Sequence, residues 1–381
     1  MSVQIFSNAE IVTAEDRFRG FVVIADGLIQ EVGPGKPPEA GIDLGGDFLL
    51  PGLVEVHTDH LEAHYMPRPK VEWDAVSAVL SYDAQIAASG ITTVFDSLRI
   101  GIDEHEIRVG FGAMVFDFAA TIEDATKNGN LRAEHLTHLR CEVPAPNVVT
   151  SLTAFLDRFP VQLISLMDHT PGQRQFRDLE KYFIYYGGKS GKNRDDVMEV
   201  VRRRQDVGAS RAVANRPAIV AIAQQRGIKL ASHDDTTVDE VEASVAEGVT
   251  VAEFPTTMES AVASREAGMA TVMGAPNVVR GGSHSGNVAA SRLADAGLLD
   301  ILSSDYVPAS LLLGAFQLAG NPGVAGLPGA IKLVSKSPAN ALGLFDRGEI
   351  APGKRADLIR VGMMRDQPVI REVWRTGRRV A

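Results

Sequence analysis

The chain has 381 residues, 45% of them hydrophobic, and a formal net charge of −10. That length holds one large barrel with a small satellite domain, or two ordinary domains, at the apolar content of a packed enzyme. The acidic balance argues against general nucleic-acid binding, and no apolar run approaches the ~20 residues a membrane span needs. Met1 to Glu10 lacks the layout of a signal peptide, and the single cysteine, Cys141, cannot form an internal disulfide, so a cytoplasmic protein is the default.

Residues 1–50 read as short strands, Val3 to Phe6, Phe21 to Ala25 and Leu28 to Val32, the last two joined by the hairpin dipeptide Asp26-Gly27. They are too few to hold a core alone. Strand-like stretches also occur at Ile350, Ala356 to Val361 and Val369 to Trp374, so segments 1–50 and 346–381 are expected to form one composite β domain, a small β-sandwich built from both termini.

Between 51 and 345 the pattern changes to apolar strands separated by helical segments. Eight strands are predicted: Leu53 to His57, Thr92 to Ser97, His138 to Val143, Gln162 to Asp168, Lys229 to His233, Thr250 to Phe254, Ala270 to Met273 and Asp300 to Ser304. Helices are predicted over Pro217 to Arg226, ended by Gly227, and Val238 to Glu247, ended by Gly248. Eight such units describe an α/β protein, a (β/α)₈ TIM-type barrel with its site at the carboxyl ends of the strands. A doubly wound sheet competes, but it usually carries a glycine-rich first turn that is missing here. Segment 170–216 is too long for an ordinary connection and carries eleven Lys or Arg against six Asp or Glu, a basic insertion and candidate lid. Arg174 and Arg177, close behind the fourth strand, are candidate anion ligands, whereas Arg202 to Arg204 read as a solvated helix face.

The strand ends share one chemical character: His57 and Asp59, then Glu142 with His138 and Arg140, then Asp168-His169, His233-Asp234-Asp235, Glu253 and Asp305. Period-two geometry puts His57 and Asp59 on one face, and on the third strand it groups His138, Arg140 and Glu142 while turning Cys141 away. One buried histidine is usually a satisfied core residue. Carboxylates and imidazoles at six of eight strand ends point instead to a divalent metal centre; the donors suit zinc, manganese or iron(II), with enough ligands for two ions. Asp305 either accepts a proton from water activated there or caps the next helix. His60 and His64 lack the metalloprotease pattern because Leu61 stands where Glu is needed. After the seventh strand, Gly274 to Asn287 reads as a phosphate cradle in which Arg280, Gly281, Gly282, Ser283, His284 and Asn287 supply the donors.

Longer motifs carry a resemblance. PGLVEVHTD (51–59), HLRCE (138–142), SLMDHTPGQRQF (165–176), ASHDD (231–235), EFPTT (253–257), MGAPNVVRGGSHSGN (273–287) and GEIAPGKRAD (348–357) run through essentially the whole chain. They resemble the amidohydrolase superfamily, and within it the PhnM branch, the α-D-ribose 1-methylphosphonate 5-triphosphate diphosphatases of the carbon-phosphorus lyase pathway. The resemblance implies metal-dependent hydrolysis of a phosphorylated ribose phosphonate to the 5-phosphate and pyrophosphate. It implies a metal site of His57, Asp59, Glu142, His169, His233 and Asp305, with Glu142 bridging and one or two Zn ions, or Mn or Fe, bound. Arg140 joins the anion-binding set, and a homo-oligomer is compatible with it. Asp59 replaces the second histidine of the superfamily's first-strand motif, Glu253 stands where many members carry a ligand histidine, and His60 stands where this branch leads one to expect Asn. The rivals are a hydrolase of C–N bonds, which shares barrel and metal, and a catalytically dead barrel serving as a binding subunit.

Overall fold

A computed structural model describes residues 3–37, 39–68, 71–101, 111–172, 174, 198–199, 201–202, 205, 208–283 and 286–381. Five strands come first: β1 (Gln4–Val12), β2 (Arg17–Ala25), β3 (Leu28–Pro34), β4 (Ile42–Asp43) and β5 (Phe48–Pro51). The eight predicted barrel strands follow as β6 (Leu53–Thr58), β7 (Ile91–Ile100), β8 (Glu134–Glu142), β9 (Leu163–Met167), β10 (Lys229–His233), β11 (Val251–Glu253), β12 (Ala270–Gly274) and β13 (Ile301–Ser303). The chain returns with β14 (Leu358–Met364), β15 (Gln367–Arg375) and β16 (Arg378–Arg379).

β6 to β13 pair in sequence order, all parallel, which excludes the doubly wound alternative. The ends of the sheet meet through a parallel bridge between Thr58 and Asp305. Lower down, backbone of residues 333–334 fills the seam: Val54 N donates to Val334 O and Leu302 N to Leu333 O, each at 2.9 Å. Two-residue alternation layers the interior. Phe95, Leu163, Ala231, Val251, Val272 and Ile301 form an apolar floor. The residues two further along, Ser97, Ser165, His233, Glu253, Gly274 and Ser303, make the next layer polar. Residues of the opposite parity, such as Leu139, Cys141, Ile164, Leu166 and Leu302, pack outward under the helices.

The other strands form one mixed sheet, β16-β15-β14-β5-β1-β2-β3, with β4 added on β1. Its core holds Phe6, Ile11, Val22, Leu49, Leu358 and Trp374, and the Phe6 and Trp374 rings lie 4.6 Å apart. Asp26 and Gly27 both take positive φ, 55° and 78°, the turn that Asp-Gly favours between twisted strands. Only Gly52 separates β5 from β6. A Cβ there would stand 2.3 Å from Thr92 Oγ1, so the change of sheet needs glycine.

Two expectations are corrected. Ile350 lies outside any strand, buried beneath the terminal sheet. Pro217 does not open its helix, which runs from Ala209 to Arg226. Tertiary contacts carry that helix through the proline: Asn215 Nδ2 donates to the carbonyls of Val143 and Ala145, and Arg216 clasps Glu247 at 2.8 Å. Gly227 caps it in the left-handed region, and Val238–Ala246 begins with a Thr237/Glu240 capping box. Most of the basic insertion, including Arg177 and Lys181, lies outside the described residues. No described helix is long and apolar enough to cross a membrane.

Candidate metal centre and anion site

His57 reaches the interior through a break in alternation. Val54 and Val56 face the barrel floor, so strict period two would turn His57 outward. The β6–β7 register shifts between Glu55 and Thr58, and this bulge brings His57 inside. Glu55, left on the outer side, holds the bulge: Oε1 accepts from His57 N at 2.7 Å and Oε2 from Ser304 N at 2.6 Å. Full burial pushes its pKa up to about 7, against the pull of those donors.

Glu253 sits beneath the centre, 1% exposed. Its Oε1 lies 2.8 Å from His57 Nδ1, its Oε2 3.1 Å from His233 Nδ1, and Ser165 Oγ donates to Oε2 at 2.8 Å. The two imidazoles lie nearly parallel, 25° between planes and 5.5 Å between centroids. Burial works against the Glu253 charge, but His57, His138 and the histidine hydrogen bonds outweigh it and hold the carboxyl well below its ordinary range. His138, fully buried, contacts Ser165, Ser97 and the Val56 carbonyl, and desolvation pushes its pKa down to about 3.

At the rim, Glu142 binds His169 twice, from the backbone N at 3.0 Å and from Nδ1 at 2.7 Å, and receives Arg99 at 3.2 Å. His169, His233 and Asp234 bring ligand atoms within 4.8 Å of one another. Asp234 Oδ2 is buried, accepts no hydrogen bond, and lies 3.5 Å from His233 Nε2. Burial lowers the pKa of His233, but Asp234 and Glu253 raise it more, so the pocket draws positive charge to this ring. Asp234, Phe254 and Asp305, each just past a strand end, hold positive φ of 58°, 55° and 53°. Such strain costs about 1 kcal/mol or more per residue and concentrates at functional sites.

Asp305 is held by the Thr58 hydroxyl on its carbonyl at 2.7 Å. Burial, with Asp59 beside it, pushes its carboxyl up to about 7. Asp59 accepts from Arg140 NH1 at 3.2 Å, and Arg140 Nε contacts Met167 sulfur, so this arginine lies across the centre. Of the six expected ligands, the structure brings His169 and His233 together with Asp234 and stacks His57 on His233. Asp59 is turned to Arg140 and Glu142 to His169 and Arg99, and neither belongs to a described ligand group. Arg174, expected to reach an anion, donates from NH1 to the His233 carbonyl at 2.9 Å and to Asp235 at 2.8 Å. Arg99 was not singled out from the sequence, and Asp234 was named only with its neighbours at the fifth strand end, outside the expected ligand set.

The cradle is partly helical: Ala275–Arg280 coils directly off β12 and Gly281 caps it at φ 79°. Arg280 is exposed, and a Cβ at Gly281 or Gly282 would meet open space, so the turn presents bare backbone to solvent. His284 lies outside the described residues, and Asn287 is half-buried beyond them.

The model of the amidohydrolase family matches residues 189–380. Along 99% of its length the chain is 47% identical to all of the α-D-ribose 1-methylphosphonate 5-triphosphate diphosphatase of Escherichia coli (strain K12). The chain belongs to the amidohydrolase family. Solved structures agree on the amidohydrolase fold. N-acetyl-D-glucosamine-6-phosphate deacetylase of Mycobacterium smegmatis superposes with a TM-score of 0.66 at 17% identity, covering 100% of both chains. N-isopropylammelide isopropylaminohydrolase of Burkholderia multivorans gives 0.64 at 18% identity, covering 100% of this chain and 98% of that one.

The amidohydrolase superfamily is metal-dependent, and the residues present fit a divalent cation. With the proton of His233 on Nδ1, toward Glu253, its Nε2 and the unpartnered Asp234 Oδ2 aim lone pairs at the same space. Two electron-pair donors 3.5 Å apart repel unless a proton or a metal cation lies between them, and both fit the positive charge this pocket draws.

Proposed function

We propose that this protein hydrolyses the triphosphate of α-D-ribose 1-methylphosphonate 5-triphosphate to the 5-phosphate and pyrophosphate, using a divalent metal ion. The observation that carries the reading is the 47% identity to the diphosphatase, spread over 99% of the chain. His169, His233 and Asp234 would hold the cation, with His57, Asp59, Glu142 and Asp305 completing its surroundings. Zinc suits the mixed nitrogen and oxygen donors, and manganese or iron(II) are the alternatives. When bound, the ion supplies Lewis-acid polarisation of a phosphoryl oxygen and a lowered pKa for attacking water.

The chain's own groups do the rest. Asp305 takes the proton of the attacking water at a carboxylate oxygen, and its pKa of about 7 suits exchange near neutrality. The water oxygen joins phosphorus, the bridging P–O bond between the first and second phosphates breaks, and pyrophosphate leaves. Arg280 and the amides of Gly281 and Gly282 hold phosphate oxygens, with Ser283, His284 and Asn287 assigned to the same cradle. Arg140 stabilises the charge that develops over the centre.

Phosphorus NMR on the metal-loaded protein with this triphosphate tests the reading. Pyrophosphate and the 5-phosphate should appear together. Orthophosphate alone, or no turnover with zinc, manganese or iron(II), overturns it.

A further inference from the structure

We infer that Glu253 is the shared orienting carboxylate of the centre, a positioning residue that fixes the tautomer of both His57 and His233 and is not itself a ligand. The inference rests on the metal-centre reading above and deepens it.

A carboxylate has only lone pairs to offer. An imidazole nitrogen approaching it at 2.8 or 3.1 Å must therefore carry a proton, because two acceptors at that distance repel. Both contacts are made by Nδ1, one to each oxygen, so in the neutral form of each ring Nε2 keeps its lone pair. His57 and His233 thus hang nearly parallel from a single carboxylate, and one group sets two ligands at once. Ser165 Oγ takes a further lone pair on Oε2, and Glu253 lies under the rings with no open face. Glu253 also falls with His57 and His138 in a group close enough to hold a cation, so the tautomer of His57 is what separates an orienting from a ligating role.

A chemical asymmetry makes the assignment testable. Glu253→Gln keeps the shape but replaces one oxygen by an NH₂ donor, so one ring keeps its partner and the other faces a donor and must reverse its tautomer. The probe is the full-length chain labelled with ¹⁵N-histidine, zinc-loaded and metal-stripped, with His57 and His233 assigned through single variants. In the unmutated protein both rings should show a protected, downfield Nδ1–H proton. In Glu253→Gln one of the two should be lost, and zinc affinity by chelator competition should fall about 10- to 100-fold.

An Nε2–H tautomer on either ring of the metal-stripped protein at mildly alkaline pH overturns the inference. So do unchanged Nδ1–H signals and zinc affinity in Glu253→Gln. The unmutated protein alone decides if the variant fails to fold. No substrate enters the experiment, so failure to release pyrophosphate would sink the proposed reaction and leave this assignment standing.

Discussion

His135, on the outer face of β8, sits between two carboxylates, with Nδ1 2.9 Å from Asp96 and Nε2 3.3 Å from Asp83, its side chain out of contact with water. Asp83 also accepts the backbone N–H of Arg132 and Ala133 and the Arg132 guanidinium. Burial opposes charge on His135, but Asp96 and Asp83 outweigh it and raise its pKa from 6.5 to about 9. A group whose pKa is higher folded than unfolded stabilises fully below its unfolded value and loses that contribution as pH rises through its folded value. The rise from 6.5 to about 9 corresponds to roughly 3 kcal/mol, present below pH 6.5 and gone above about 9. His135→Gln should remove this dependence and, by stranding two buried carboxylates, cost about 3 to 5 kcal/mol at the acid end of the window. Urea unfolding followed by circular dichroism at several pH values measures both proteins. The difference between them should close as pH rises from 6.5 to about 9. Parallel curves across that window would show that His135 carries no excess proton in the folded state.

Asp305→Asn, compared at matched zinc occupancy, should lower kcat by about 10²- to 10⁴-fold and remove the limb of the pH–rate profile that rises towards neutrality. Unchanged kcat would move the proton acceptor elsewhere. Arg280→Ala should raise KM for the triphosphate about 10- to 100-fold, the loss of one charge-assisted contact, and steady-state kinetics decide it. Glu55→Gln turns an NH₂ towards one of two backbone donors, so it should cost about 1 to 3 kcal/mol in denaturant unfolding. Full stability in this variant would refute the clamp between β6 and β13.

The barrel was legible because its strands are short apolar runs with polar ends, and all eight lie where those runs predict, within a few residues. The Asp26-Gly27 hairpin was equally plain, since a positive-φ pair leaves few other choices. Ile350 and Pro217 misled because tertiary contacts overrode local preference. The turn at 333–334 that fills the barrel seam has no sequence mark, because it acts through backbone atoms alone. The same holds at the centre. Residue types named His57, His233 and Asp305, but a one-residue bulge decides which way His57 faces, and nothing in the sequence shows that Glu253 on the sixth strand contacts both His57 and His233. Arg174 has the right charge for an anion and spends it on Asp235.

The seam where Thr58 meets Asp305 joins positions 247 residues apart. A ribosome therefore delivers Asp305 long after His57. Until then one edge of the parallel sheet has no neighbour, and such edges favour pairing with other chains. Aggregation during synthesis should accordingly track the time spent before that late strand arrives, a hazard that slower elongation between the two positions would lengthen.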